Sequence, residues 1–169
     1  MIRIGKNISE FSTYSCQPKT RDELRDIIRK RIRERGPNCN LNDIDVSLVT
    51  DMSYLFAYLV FKGDISEWDT SKVKHMTGMF EKSPFNGDIS RWNVLNIEDM
   101  KCMFNESSFN QDISKWNVSK VTRMEYLFMN SKFNHDISSW KINKDCNTKE
   151  MFYNCPIKEE FKPTIISKS

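Results

Sequence analysis

The chain has 169 residues, 38% of them hydrophobic, and a formal net charge of +3. That is the size of one domain, without the strong positive balance of a general nucleic-acid binder. No apolar run approaches the roughly 18 residues needed to span a bilayer. Residues 1–14 carry Arg3 and Lys6 but no continuous apolar segment after them, so no secretory signal peptide is read there. A cytoplasmic monomer with no membrane contact is expected. The five cysteines, Cys16, Cys39, Cys102, Cys146 and Cys155, include no CxxC pair. They are read as buried or incidental thiols, not as a zinc site or a disulfide framework.

Residues 1–19 show little pattern. Ile2, Ile4, Ile8 and Phe11 suit a short extended segment that Pro18 ends. Residues 20–36 predict a helix. Thr20 and Glu23 make a capping box, Leu24, Ile27, Ile28 and Ile32 form an apolar stripe, and Gly36-Pro37 is a stop signal. The other face is basic. Residues 1–36 hold ten Lys or Arg against five Asp or Glu, a local +5, which leaves the remainder at about −2. The helix is expected to cap one end of the remaining chain, and Arg25, Arg29 and Arg33 are its candidate nucleic-acid contacts.

From residue 38 onwards the chain repeats every 24 residues. Tryptophan recurs at Trp68, Trp92, Trp116 and Trp140, and Asp-Ile-Ser begins at Asp64, Asp88, Asp112 and Asp136. Phenylalanine falls at Phe56, Phe80, Phe104, Phe128 and Phe152, and methionine at Met52, Met76, Met100 and Met124. A period of this length marks stacked repeats. Residues 38–62 are a degenerate first repeat, with Ile44 in place of tryptophan. Its Tyr58-Leu59-Val60 stands where later repeats are polar, which predicts docking of the N-terminal helix there. Residues 63–140 hold regular repeats, residues 141–157 decay, and the charged tail 158–169 is expected to be partly disordered. The expected division is 1–37 for segment and cap, 38–157 for about five repeats, and 158–169 for the tail.

Within one repeat, Ile65, Trp68, Thr70 and Val73 give the apolar frame of a leucine-rich repeat. The Trp68-x-Thr70 alternation predicts a short strand with one face inward. Val73, Met76, Met79 and Phe80 predict a short helix or 3₁₀ turn outside it. The fold class expected is therefore α/β, a leucine-rich-repeat-like solenoid of short parallel strands and short helices. The stacked Asp column reads as turn caps, with calcium as the competing reading, although the Gly-rich calcium nonapeptide is absent. His75 and His135 stand in no metal-ligand spacing. No nucleophile elbow, P-loop, G-x-G-x-x-G or H-E-x-x-H occurs. No enzyme, cofactor or metal is expected.

Phe85-Asn86-Gly87-Asp88-Ile89-Ser90-Arg91-Trp92-Asn93-Val94, continuing through Asn96 to Phe104, resembles the BspA-like leucine-rich-repeat family, also described through the repeat of Mycoplasma lipoproteins. The resemblance covers about residues 40–157. Residues 18–24 through 40–45 are similar to the leader before such repeats in bacterial and phage members. It implies a solenoid that works by protein–protein interaction. Surface members bind host matrix proteins and are secreted or lipidated, whereas here no signal peptide or lipobox cysteine is read. The expectation is an intracellular bacterial or phage-type binder of a protein partner, such as an inhibitor of a defence nuclease. Nucleic-acid binding through the basic helix is the second reading and a surface adhesin the third. If the Trp strand faces inward, the residues between point outward on the concave side. Glu67, Arg91, Leu95, Lys115 and Lys141 are then the candidate partner-binding residues. Leu95 stands out because serine fills its place in both neighbouring repeats.

Overall fold

The computed structural model describes residues 14–166. The 24-residue period becomes a stack of coils, each turning four corners. In the coil from Ile65, amide-to-carbonyl bonds close the turns 65–68, 70–73, 76–79 and 80–83 at 3.0–3.3 Å. The same corners recur at 89–92, 94–97, 100–103 and 104–107, and again one period later. Between corners the chain points one apolar residue after another inward. Ile65, Trp68, Thr70, Val73, Met76, Met79, Phe80 and Phe85 are all buried.

Identical residues therefore stack on identical residues. Phe56, Phe80, Phe104, Phe128 and Phe152 form one file with centroids 5.4–5.8 Å apart. Phe61, Phe85, Phe109 and Phe133 form a second, at 5.9–6.4 Å. Each tryptophan donates its indole N–H to a carbonyl of the coil before: Trp68 to Leu41, Trp92 to Ile65, Trp116 to Ile89 and Trp140 to Ile113, at 3.0–3.3 Å. Burial of each large side chain contributes about 1.5–3 kcal/mol, against about 0.5–1.5 kcal/mol for ring stacking, so burial dominates and stacking sets the register.

The hydrogen-bonded ladder lies on a different side from the one expected. Residues 68–70 form no strand. The inter-coil bonds run instead through the Met-x-x-Met-Phe segment. Met76, Gly78, Phe80 and Lys82 donate to the carbonyls of Asp99, Lys101, Met103 and Asn105 at 2.8–2.9 Å. Amides 52, 54, 56 and 58, 100–106 and 124–130 repeat this pattern, and the bridges Asp51–His75–Asp99–Arg123–Asn147 run alongside. Nor does a helix form at Val73–Phe80: these residues are turns. The third residue of each ladder turn is left-handed, with φ 57° at Gly78, 52° at Lys82, 56° at Cys102 and 61° at Tyr126, as in type II turns. A helix would send these amides along its own chain, whereas alternating turns send them to the next coil.

Helix α1 (Arg21–Arg35) covers one end of the stack. Thr20 accepts from the Glu23 amide, and Glu23 reaches back to the Lys19 amide at 2.7 Å. The Gly36 amide closes the helix on Ile32 with φ 85°. Leu24 and Ile28 are fully buried in the common core. The helix does not cover Tyr54, Tyr58 and Val60, which stay 48%, 66% and 60% exposed. That corrects the docking expected for Tyr58 and Val60; only Leu59 turns partly into the core. At the other end the tail, expected to be partly disordered, takes a defined path over its described residues 158–166. A 3₁₀ turn at Glu159–Phe161 receives the Ile137 amide on the Phe161 carbonyl, and β1 (Ile142–Asn143) pairs in parallel with β2 (Ile165–Ile166). The tail so imitates half of a further coil. Of the expected elements, Ile2, Ile4, Ile8 and Phe11 lie outside the described residues.

Candidate partner-binding surfaces

On the tryptophan side the backbone is fixed by side-chain carboxylates and amides. Asp64, Asp88, Asp112 and Asp136 each accept the amide two residues on, at 2.9 Å, which is the turn-capping role. The amide and hydroxyl of Ser90, and likewise of Ser114, hold Asp88 and Asp112 below the usual carboxylate range. Asp69, Asn93 and Asn117 do the same for the amides of Ser71, Leu95 and Ser119 at 3.0–3.2 Å. That column is therefore committed to its own turns.

The expected site residues fall on the rims of these turns. Glu67, Arg91 and Lys115 are each the third residue of a corner, exposed, on successive coils of one column. Leu95 is the second residue of the 94–97 turn and 41% exposed. Lys141 is exposed beside β1. Their outward direction agrees with the predicted alternation, but they edge turns and do not line a sheet. Two polar clefts run along the column. One of about 260 Å³ is lined by Asp88, Gln111, Asp112 and Lys115, and one of about 360 Å³ by Asp112, His135, Asp136 and Ser139.

The ladder side carries the surface that sequence reasoning misses. Its third-position column is Tyr54, Gly78, Cys102, Tyr126. The Tyr54 ring lies across Gly78, where an added Cβ would sit 2.3 Å from it. Burial, then the carboxylate of Glu81, pushes the Tyr54 phenol up, and the same two causes raise the Cys102 thiol. Lys82 sits 5.4 Å over the Tyr58 ring and 3.3 Å from Glu106. Arg123 joins Asp99 at 2.9 Å and Glu125 at 3.5 Å. Tyr58-Leu59-Val60, apolar where later repeats are polar, is the sequence signal for this face and not for helix docking.

On α1, Arg29 and Arg33 are exposed and in no ion pair among the described residues, but Arg25 is half-buried and 3.2 Å from Asp22. Arg31 and Arg35 both reach Asp43 at 3.4 Å, and Arg21 approaches Asp22 and Asp51. The helix surface is thus less basic than its sequence.

Stacked coils at a fixed 24-residue step, with like residues in the inward columns, define a repeat protein. A family model described as "Mycoplasma protein of unknown function, DUF285" matches residues 29–128 and 85–162. The chain belongs to that Mycoplasma-type repeat family. No curated protein and no solved structure matches it. No helix among the described residues is long and apolar enough to cross a membrane.

Proposed function

We propose that the chain is a non-enzymatic recognition module that binds a protein, its coils being leucine-rich-repeat coils of the BspA-like kind in a solenoid. The observation that carries this reading is the exposed group Tyr54, Tyr58 and Val60 on the ladder side of the first coil. Large aromatic side chains left in water on a rigid frame are the usual anchors of protein interfaces. The inter-coil bonds of the Tyr54 and Tyr58 amides fix the backbone that carries these rings, so less freedom remains to be lost on binding. On the opposite side the exposed leucines Leu48 and Leu95 lie two coils apart among polar residues, which makes the column Glu67, Arg91, Lys115 the weaker surface. Nucleic-acid binding through α1 is weaker again, because Asp22, Asp43 and Asp51 pair with Arg21, Arg25, Arg31 and Arg35.

The test is affinity capture with three full-length proteins: the natural chain, Tyr54→Ser with Tyr58→Ser, and Arg91→Glu with Leu95→Asp. The first double variant should lose the captured protein with its melting temperature intact. Loss in the second alone would move the site to the tryptophan side. Capture of nucleic acid that disappears steeply with salt would replace the reading.

A further inference from the structure

The ladder has a direction. In every step the amides of one coil meet the carbonyls 23 residues on: 52–58 meet 75–81, 76–82 meet 99–105, 100–106 meet 123–129, and 124–130 meet 147–153. The last coil has the same turns, with Glu150 and Asn154 at φ 50°, but no further ladder coil. Among the described residues, the amides of Thr148, Glu150, Phe152 and Asn154 have no hydrogen-bond partner. The tail completes only the other half of the coil, where β2 pairs with β1. Beside the four amides, the end of the core opens into a cavity of about 240 Å³, bounded by Ile142, Thr148, Met151 and Phe152 below and by Lys162 and Pro163 of the tail. Tyr153, in the same last turn, stands 61% exposed.

We propose that this edge docks an extended segment of a protein partner, lying parallel to residues 148–154. The proposal rests on the protein-recognition reading and names a second surface for it. The occupant's chemistry is set by the ladder itself. Along 148–154 the edge offers donors, so the partner must present a run of acceptors there, its own backbone carbonyls at two-residue spacing, as each coil does for the one before. One apolar side chain of the segment enters the cavity over Met151 and Phe152. Exposed Lys149 favours an acidic residue at the flank, whereas Lys162 is already paired with Glu159, which also lines the cavity, and Glu150 is an opposing charge at the edge. A second copy of the chain is a poor occupant. Two such edges would set donors against donors, and at the carbonyl end Arg21 of α1 approaches Asp51 of the first coil. A helix about 10 Å across does not fit in the spacing of about 4.8 Å that the ladder requires.

The experiment pans a phage-displayed library of linear 12-residue peptides on the full-length chain, and adds the enriched peptide to labelled protein for amide hydrogen exchange. Protection of amides 148, 150, 152 and 154, by a peptide with a central apolar residue, is the expected result. Thr148→Pro removes one donor that no internal bond uses. It should weaken that peptide about tenfold, the equivalent of about 1.4 kcal/mol and one lost hydrogen bond. If the variant fails to fold, the exchange pattern of the natural chain still decides. Protection of amides 54–60 instead would overturn the edge and leave the recognition reading standing. No enriched peptide, or a dimer that protects the same amides without peptide, would also overturn it, while the capture experiment judges the recognition reading separately.

Discussion

Single residues here act through columns, so a substitution is felt by two neighbours. Trp116 is buried and donates to the Ile89 carbonyl. Trp116→Ala should cost about 3–5 kcal/mol in denaturant unfolding. The Asp column gives a pH dependence. Ser90 and Ser114 hold Asp88 and Asp112 below the usual carboxylate range. A folded-state value below the unfolded one means the carboxylate contributes stability above about pH 3.9. That contribution is lost as the pH falls through the folded value. The acid branch of the stability curve should therefore steepen below about pH 4 and flatten in Asp88→Asn, whose amide oxygen keeps the turn as Asn93 does. Cys146 is buried, and its thiol is pushed up to about 11, by burial first and by the Glu125 carboxylate second. Alkylation of Cys146 should proceed only as fast as the fold opens, which rates measured with and without denaturant will show. The inward columns and the turn-capping Asp are legible in the sequence, because burial and side-chain capping both leave a residue type behind. The left-handed positions are not. Tyr54, Lys82, Cys102 and Tyr126 occupy them, and among the ladder turns only Gly78, Asn130 and Asn154 are residue types that announce positive φ.

Among the elements, α1 is legible nearly to its ends, because Thr20, Glu23 and Gly36 each perform a local task that the chain near them dictates. Thr20→Ala should lower stability by about 1 kcal/mol, measured by thermal unfolding. Where α1 packs is not legible, since Tyr58 and Val60 look like its seat and are exposed instead. The strand and helix expected within each repeat miss for one reason. Spacing of apolar residues records which side chains point inward, and four turns give nearly the same record as a strand and a helix. The tail shows the same limit: its charge gives no sign that the Phe161 carbonyl and β2 lie on the last coil. Removing residues 158–169 should uncover Ile142 and Trp140 and lower the melting temperature more than Thr20→Ala does.

At the scale of the molecule, the file Phe56 to Phe152 runs unbroken from coil to coil, and α1 shares the same core. Unfolding monitored by tryptophan fluorescence and by far-ultraviolet dichroism should therefore give one coincident transition. Separate midpoints would mean that the end coils melt alone. The one-way ladder has another outcome. The peptide units carrying amides 52–58 and their counterparts all point their N–H groups towards the last coil. The bonds from Glu98 and Asp99 to the Lys74 carbonyl and from Ser108 to the Ser83 carbonyl, with their counterparts, run the other way, but the four forward bonds of each ladder step outnumber them. In an ordinary sheet such peptide dipoles alternate and cancel. Here they add, as in an α-helix, and the stack has a negative pole at its first coil and a positive pole at its last. Arg21 lies by the first pole, where it approaches Asp51, and Glu150 by the second. Glu150→Lys should thus destabilise the fold by about 0.3–1 kcal/mol at low salt, with the difference fading as salt is added.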